Sequence, residues 1–138
     1  MPKFSKKSLE LLSMCHPDII IVCNELIKYV DFTVLPSTVR TVEEQKKFVA
    51  EGKSKTMDSK HLIGDKRNKS DAVDITPYPI DWNDKQRQAY LAGWFLAIAA
   101  QLFNFGVIKS KFRWGGDWNR NNNFKDETFL DPEHFERI

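Results

Sequence analysis

Three short stretches hold the residues able to do chemistry. Ser59-Lys60-His61-Leu62-Ile63-Gly64-Asp65 carries one imidazole, Asp71-Ala72-Val73-Asp74 carries two carboxylates, and Asp131-Pro132-Glu133-His134-Phe135 carries a second imidazole beside two acids. Two imidazoles and a carboxylate drawn from separate segments are what a catalytic zinc ion requires, with a fourth position left open for water. Zinc held in this way acidifies water toward neutral pH and polarises a carbonyl, which is the chemistry of hydrolysis. Any one histidine alone is more often an ordinary surface or core residue. The set taken together carries the reading.

The elements that must position these groups are legible in outline. Ser5 caps a first helix that carries Leu9 and Leu12 inward and ends near His16. Pro17 opens a second helix, whose apolar face is Ile20, Ile21, Val22, Leu26, Ile27 and Val30. A strand-like run follows over 31–36. Thr41-Val42-Glu43-Glu44 is a capping box for a third helix, which Gly52 stops. Residues 53–60 are polar and read as a loop over the site. Ala72-Val73-Asp74-Ile75 reads as a short buried strand ended by Pro77 and Pro79. The longest helix is expected from Asn83 to Asn104, with Tyr90, Leu91, Trp94, Phe95, Ile98 and Leu102 inward and Gly106 at its end. Two further strands are expected at Lys111–Trp114 and His134–Arg137, separated by an Asn-rich loop. Helices and strands do not alternate regularly. The fold class is therefore α+β, with a small antiparallel sheet carrying the metal site and packed against helices.

Composition sets the bounds. A chain of 138 residues is one domain, and 41% hydrophobic with 29% charged residues is ordinary globular composition. A net charge of +2 gives no case for nucleic acid and is compatible with an anionic cell wall. Cys15 and Cys23 match no secreted disulfide framework and read as buried free thiols. With His16 they fit no common zinc spacing. The N-terminus has charges but no apolar core of a signal peptide, so synthesis in the cytoplasm without its own export signal is expected. The apolar run from Ala89 to Phe103, broken by Gln101, is too short to span a bilayer.

The motif S-x-H-x-x-G followed by A-x-D and a C-terminal acid-x-x-H-F-E resembles the D-alanyl-D-alanine-type zinc peptidases. The likeness is greatest to the small phage endolysins that act as L-alanyl-D-glutamate peptidases. It runs from about residue 33 to the C-terminus and implies their fold, shared also by the hedgehog signalling domain. By this resemblance His61, Asp74 and His134 are the zinc ligands and Asp131 is the general base, with Glu133 its rival. Arg40 is the arginine that contacts substrate and supports the oxyanion, a task suited to a permanently charged, bidentate group. Ser59 orients substrate or groups around the metal. Arg113-Trp114-Gly115-Gly116-Asp117-Trp118 resembles an R-x-G-x-D-W stretch of the endolysins, in which Trp114 and Trp118 either wall the substrate groove or simply pack.

The chain departs from that family in one respect. His61 and Asp74 are 13 residues apart, longer than the family's usual interval, and the excess is read as the charged insert Lys66–Asp71. A loop tip absorbs such an insert at small entropic cost. It leaves Asp71 as a second candidate ligand, with Asp74 preferred because its strand is the more rigid support.

The activity implied is a zinc endopeptidase cutting between L-Ala and D-Glu of the peptidoglycan stem peptide. The alternatives are a D-alanyl-D-alanine carboxypeptidase and a non-catalytic zinc-stabilised binding module, and the acid at Asp131 speaks against the latter. A monomer without stable membrane insertion is expected, residing in the host bacterial cytoplasm and reaching the wall once a holin opens the membrane. The segment from Asp117 to Glu127 is crowded with oxygen ligands that suit Ca²⁺, with Asp117 and Asp126 as the carboxylate candidates. Arg120 and Lys125 oppose a cation there, and an ordinary polar loop is the competing reading.

Overall fold

The computed structural model describes residues 2–54, 58–64, 66–123 and 125–138. In chain order the elements are α1 (Lys6–Ser13), α2 (Pro17–Leu26), β1 (Phe32–Val34), a 3₁₀ turn (Pro36–Thr38), α3 (Val42–Ala50), β2 (Ala72–Pro77), α4 (Lys85–Asn104), β3 (Phe112–Trp114) and β4 (His134–Arg137). The strands form one antiparallel sheet in the order β1-β2-β4-β3. The class is α+β, as expected.

Local chemistry accounts for the boundaries. The Ser5 hydroxyl accepts from the Ser8 amide and starts α1. This helix stops at Ser13, earlier than the sequence indicates, because His16 serves α2 instead: its Nδ1 accepts from the Asp18 amide at 3.0 Å. Both halves of the Thr41–Glu44 capping box are formed, and Gly52 follows α3 at φ 74°. Asp84 caps α4 by accepting from the Arg87 amide.

One face of the sheet is covered by helices. Successive strand residues alternate between faces, so Val73 and Ile75 of β2, Phe135 of β4, and Phe112 and Trp114 of β3 all turn toward α4 and α2. Phe95 of α4 stacks on Phe135 at 4.3 Å between ring centroids and meets Phe112 edge-on at 5.4 Å. Ile19, Val22, Cys23 and Leu26 of α2 complete this core. Both cysteines are buried free thiols, and burial pushes the Cys15 thiol up to about 12.

Two expectations about the core need correction. Leu9 and Tyr90 are mainly exposed. The α4 stripe is centred instead on Leu91, Ala92, Phe95, Ile98 and Ala99, whose alanines let the backbones approach closely. Tyr90 joins a surface aromatic group in which Trp94 stacks on Tyr29 at 5.3 Å. Trp114 lies in the core, with its indole donating to the Pro132 carbonyl at 2.6 Å.

Candidate metal centre and active site

The opposite face of the sheet carries the polar cluster, and strand register assembles it. Asp74 of β2 lies directly across from His134 of β4, and Arg113 of β3 lies directly across from Glu136. Residues paired in this way share a face, as do His134 and Glu136, two positions apart on one strand. His61 enters from outside the sheet. Its segment is tied to Arg40 by a short parallel bridge, in which the Arg40 amide donates to the His61 carbonyl and the Ile63 amide to the Arg40 carbonyl.

The three expected ligands converge. His61 Nε2 is 2.9 Å from His134 Nδ1 and 3.1 Å from Asp74 Oδ1, and His134 Nδ1 is 3.3 Å from the same oxygen. All three residues are buried. Their outward atoms are held as well. His61 Nδ1 donates to the Thr38 carbonyl at 2.9 Å, and His134 Nε2 to Glu136 Oε1 at 2.7 Å. Asp74 Oδ2 accepts from the Ser37 hydroxyl at 2.6 Å and faces Arg40 at 3.5 Å. Each ligand thus presents one remaining atom to a common point, so the donor set fits a metal ion that prefers two nitrogens and an oxygen.

The electrostatics are those of a buried mixed-charge cluster. Burial alone would raise the Asp74 carboxyl, but the adjoining imidazoles hold it well below the carboxylate range. Burial lowers His61. It acts the same way on His134, where the hydrogen bonds to Asp74 and Glu136 outweigh it and push the ring up to about 9. Burial, then the charge of Asp74, raises Asp131 to about 6.

Asp71 is accounted for elsewhere. It pairs with Arg137 at 2.5 Å and with Arg67 at 3.2 Å. The insert is anchored by Arg67, which donates to the Ser59 and Leu62 carbonyls. Asp65, within the expected site motif, lies outside the described residues, as do residues 55–57 of the expected covering loop.

Above the cluster opens a cleft of about 520 Å³, walled by Arg40, Ser59, Lys60, Trp118, Asp131 and Glu136 among others. Asp131 stands beside the ligands, whereas Glu133 lines an adjoining hollow that holds neither histidine. A tight turn places Asp131: its amide donates to the Gly115 carbonyl, and its carbonyl accepts from the His134 amide. Gly115 is required for this, since a Cβ there would lie 2.1 Å from the Asp131 carbonyl oxygen. Ser59 accepts from the His61 amide through its hydroxyl. Trp114 does not line this cleft. Trp118 does, with its ring 5.4 Å from that of His134.

Sequence reasoning missed Ser37, Thr38 and Glu136 as supports of the site. Thr38 is fully buried and also donates its hydroxyl to the Asp74 carbonyl while accepting from the Asp74 amide. Glu136 was visible in the H-F-E motif, but its function depends on Arg113 lying across from it at 2.6 Å. Such an outer carboxylate fixes the ring of a ligand histidine and raises its basicity. Glu136→Gln should therefore weaken metal binding about 10–100-fold in a chelator competition. Unchanged affinity would remove Glu136 from the metal centre.

A buried cluster of two histidines and an aspartate, with a further acid alongside, is the kind of site a mononuclear metallohydrolase uses. The comparisons with known proteins narrow the class. The chain belongs to the phage L-alanyl-D-glutamate peptidase family, whose model matches residues 1–138. Among solved structures it is similar to Serratia marcescens L-Ala D-Glu endopeptidase ChiX, at 26% identity and a TM-score of 0.74, covering 98% of this chain and 89% of that one. A search of curated proteins found no match.

Proposed function

We propose that this chain is a zinc-dependent peptidoglycan endopeptidase, an endolysin that hydrolyses the L-alanyl-D-glutamate bond of cell-wall stem peptides. The observation that carries this reading is the convergence of His61, Asp74 and His134 beside Asp131 in a chain of this peptidase family. Zinc held by the three ligands would supply Lewis acidity, polarising the scissile carbonyl and acidifying water.

The protein's own groups do the rest. Asp131, raised toward neutrality by burial, takes a proton from the attacking water and returns it to the leaving amine. Arg40 is aimed by its bonds to the Ser37 carbonyl and Gln45 and by Phe48, 4.5 Å from its guanidinium. It lines the cleft as a fixed cation for the developing oxyanion or a substrate carboxylate.

Mass spectrometry of muropeptides after digestion tests the reading. Products beginning with D-Glu should appear, and they should vanish when a chelator is added. Release of terminal D-Ala would instead make the enzyme a carboxypeptidase.

No helix among the described residues is long and apolar enough to cross a membrane. Access to the wall through a holin-opened membrane, by a monomeric enzyme, belongs to the same proposal.

We propose a calcium role for the Asn-rich loop on its crowding of carboxylate and amide oxygens. It is folded around its acids: Asp117 accepts from the Asn121 and Asn122 amides, and Asp126 accepts from the side chains of Asn119 and Asn121. Phe124, within it, lies outside the described residues. Calcium added to the zinc-loaded enzyme should raise activity, and Asp126→Ala should abolish that response while zinc stays bound. A flat titration ends the idea.

A further inference from the structure

The metal cleft continues past Asp131. A second hollow shares Arg40, Lys53, Phe129 and Asp131 with it and extends to Trp82, Leu130 and Glu133. Those last three also line a third hollow, reached between the segment after β2 and the start of α4, where Asp81, Asp84 and Gln88 join them. Shared walls therefore link the ligand Asp74 and the acid Asp131 to a more distant surface. Trp82 and Leu130, 57% and 58% exposed, flank that route. The segment bearing Trp82 is pinned by Arg87, which donates to the Tyr78 and Pro79 carbonyls at 2.9 and 3.1 Å.

The two ends of the route differ in charge. The metal cleft sets Arg40, Lys53, Lys60 and Arg113 against Asp58, Glu127, Asp131 and Glu136, a balance that a bound divalent cation would tip positive. The far hollow sets Asp81, Asp84 and Glu133 against Lys85 alone. A stem peptide cut between L-Ala and D-Glu is asymmetric in the same sense. On the D-Glu side it carries free carboxylates. On the other side the L-Ala nitrogen is acylated by the lactyl group of an N-acetylated sugar, and that half is uncharged. A carboxylate-lined hollow repels the first half and accepts the second. An exposed indole offers a flat apolar face to the C–H surface of a sugar ring. Asp81 and Asp84 each commit one oxygen to a backbone amide, and a carboxylate has a second to accept a hydroxyl.

We propose that the groove formed by Trp82, Leu130, Asp81 and Asp84 binds the N-acetylated glycan unit attached to the L-Ala side of the scissile bond, with Trp82 as its platform. This rests on the reading of the chain as an L-alanyl-D-glutamate peptidase. The groove makes the enzyme one that prefers stem peptides still joined to the glycan strand, because binding energy from the remote sugar adds to that at the reacting bond.

Steady-state kinetics on a disaccharide-tetrapeptide and on the same tetrapeptide without sugar test it. The wild type should show a lower KM for the sugar-bearing substrate. Trp82→Ala should raise that KM about tenfold more than it raises the other, equivalent to about 1.4 kcal/mol, and Trp82→Phe should recover most of the difference. Equal effects of Trp82→Ala on both substrates, or no wild-type preference, would overturn the proposal. If neither substrate is cut between L-Ala and D-Glu, the reading of the activity fails by itself. The glycan site is then decided by titrating N-acetylglucosaminyl-N-acetylmuramoyl-L-alanine amide into the protein and following the Trp82 indole N–H by NMR. A saturable shift supports the groove, and no shift refutes it.

Discussion

His61→Ala and His134→Ala are each expected to abolish tight zinc binding and, with it, hydrolysis of peptidoglycan. Each removes one of three donors that meet within 4.8 Å of one another, and no other histidine can replace it. The third, His16, is committed to capping α2. The variants should nevertheless fold. The core built on Phe95, Phe135, Ile19 and Leu26 lies on the opposite face of the sheet from the ligands. The stability cost should fall more heavily on His134→Ala, because that ring contacts both Asp74 and Glu136, and removing one partner from buried charges costs about 3–5 kcal/mol. Ser37, Arg40 and Arg113 remain to compensate the two carboxylates, which places the expected loss toward the lower end. Metal content by atomic absorption, alongside circular dichroism, reads both effects. A double variant that still retains one tightly held equivalent of zinc would refute the ligand assignment.

Asp131→Asn should separate chemistry from metal binding. Asparagine keeps the size of the side chain and leaves the backbone bonds to Gly115 and His134 in place, so the turn and the ligands should survive. It cannot take up the proton, and a general acid–base group contributes about 10²–10⁴-fold. The expected variant binds zinc normally and loses kcat by that factor, with little change in KM. Glu133→Gln is the comparison for kcat, since Glu133 lines the neighbouring hollow and not the cleft that holds both histidines; any effect it has through that hollow should fall on KM. An inactive Glu133→Gln beside an active Asp131→Asn would exchange the two assignments.

Much of the architecture is written in local chemistry. The Ser5 cap, Pro17 at the head of α2, the Thr41–Glu44 box and Gly52 each act within a few residues, so helix ends could be read to within a turn. The burial of β2 follows from the apolar residues of Ala72-Val73-Asp74-Ile75, and Pro77 closes the strand. The histidines and acids of the site were legible as types in a motif. Where local reading failed, a competing use of the residue decided. His16 was drawn into capping the next helix instead of ending its own. Tyr90 left the core stripe for an edge-on surface contact with Trp94.

Tertiary structure decided what spacing could not. Asp71 and Asp74 are three residues apart and chemically identical. Register sets Asp74 opposite His134, while Asp71 is drawn to Arg137 and Arg67. The same ladder pairs Arg113 with Glu136, 23 positions apart, and holds Glu136 against the His134 ring. Thr38 holds His61 and Asp74 together across comparable separations. Trp114 and Trp118 looked equivalent in one motif. The pleat sends Trp114 to the helical face, and the chain past Gly115-Gly116 returns Trp118 to the cleft. A linear chain specifies which groups are available and where its local turns fall. Which of them share a face depends on strand pairing, because the side-chain period of two makes a one-residue change of register move a group to the other side of the sheet.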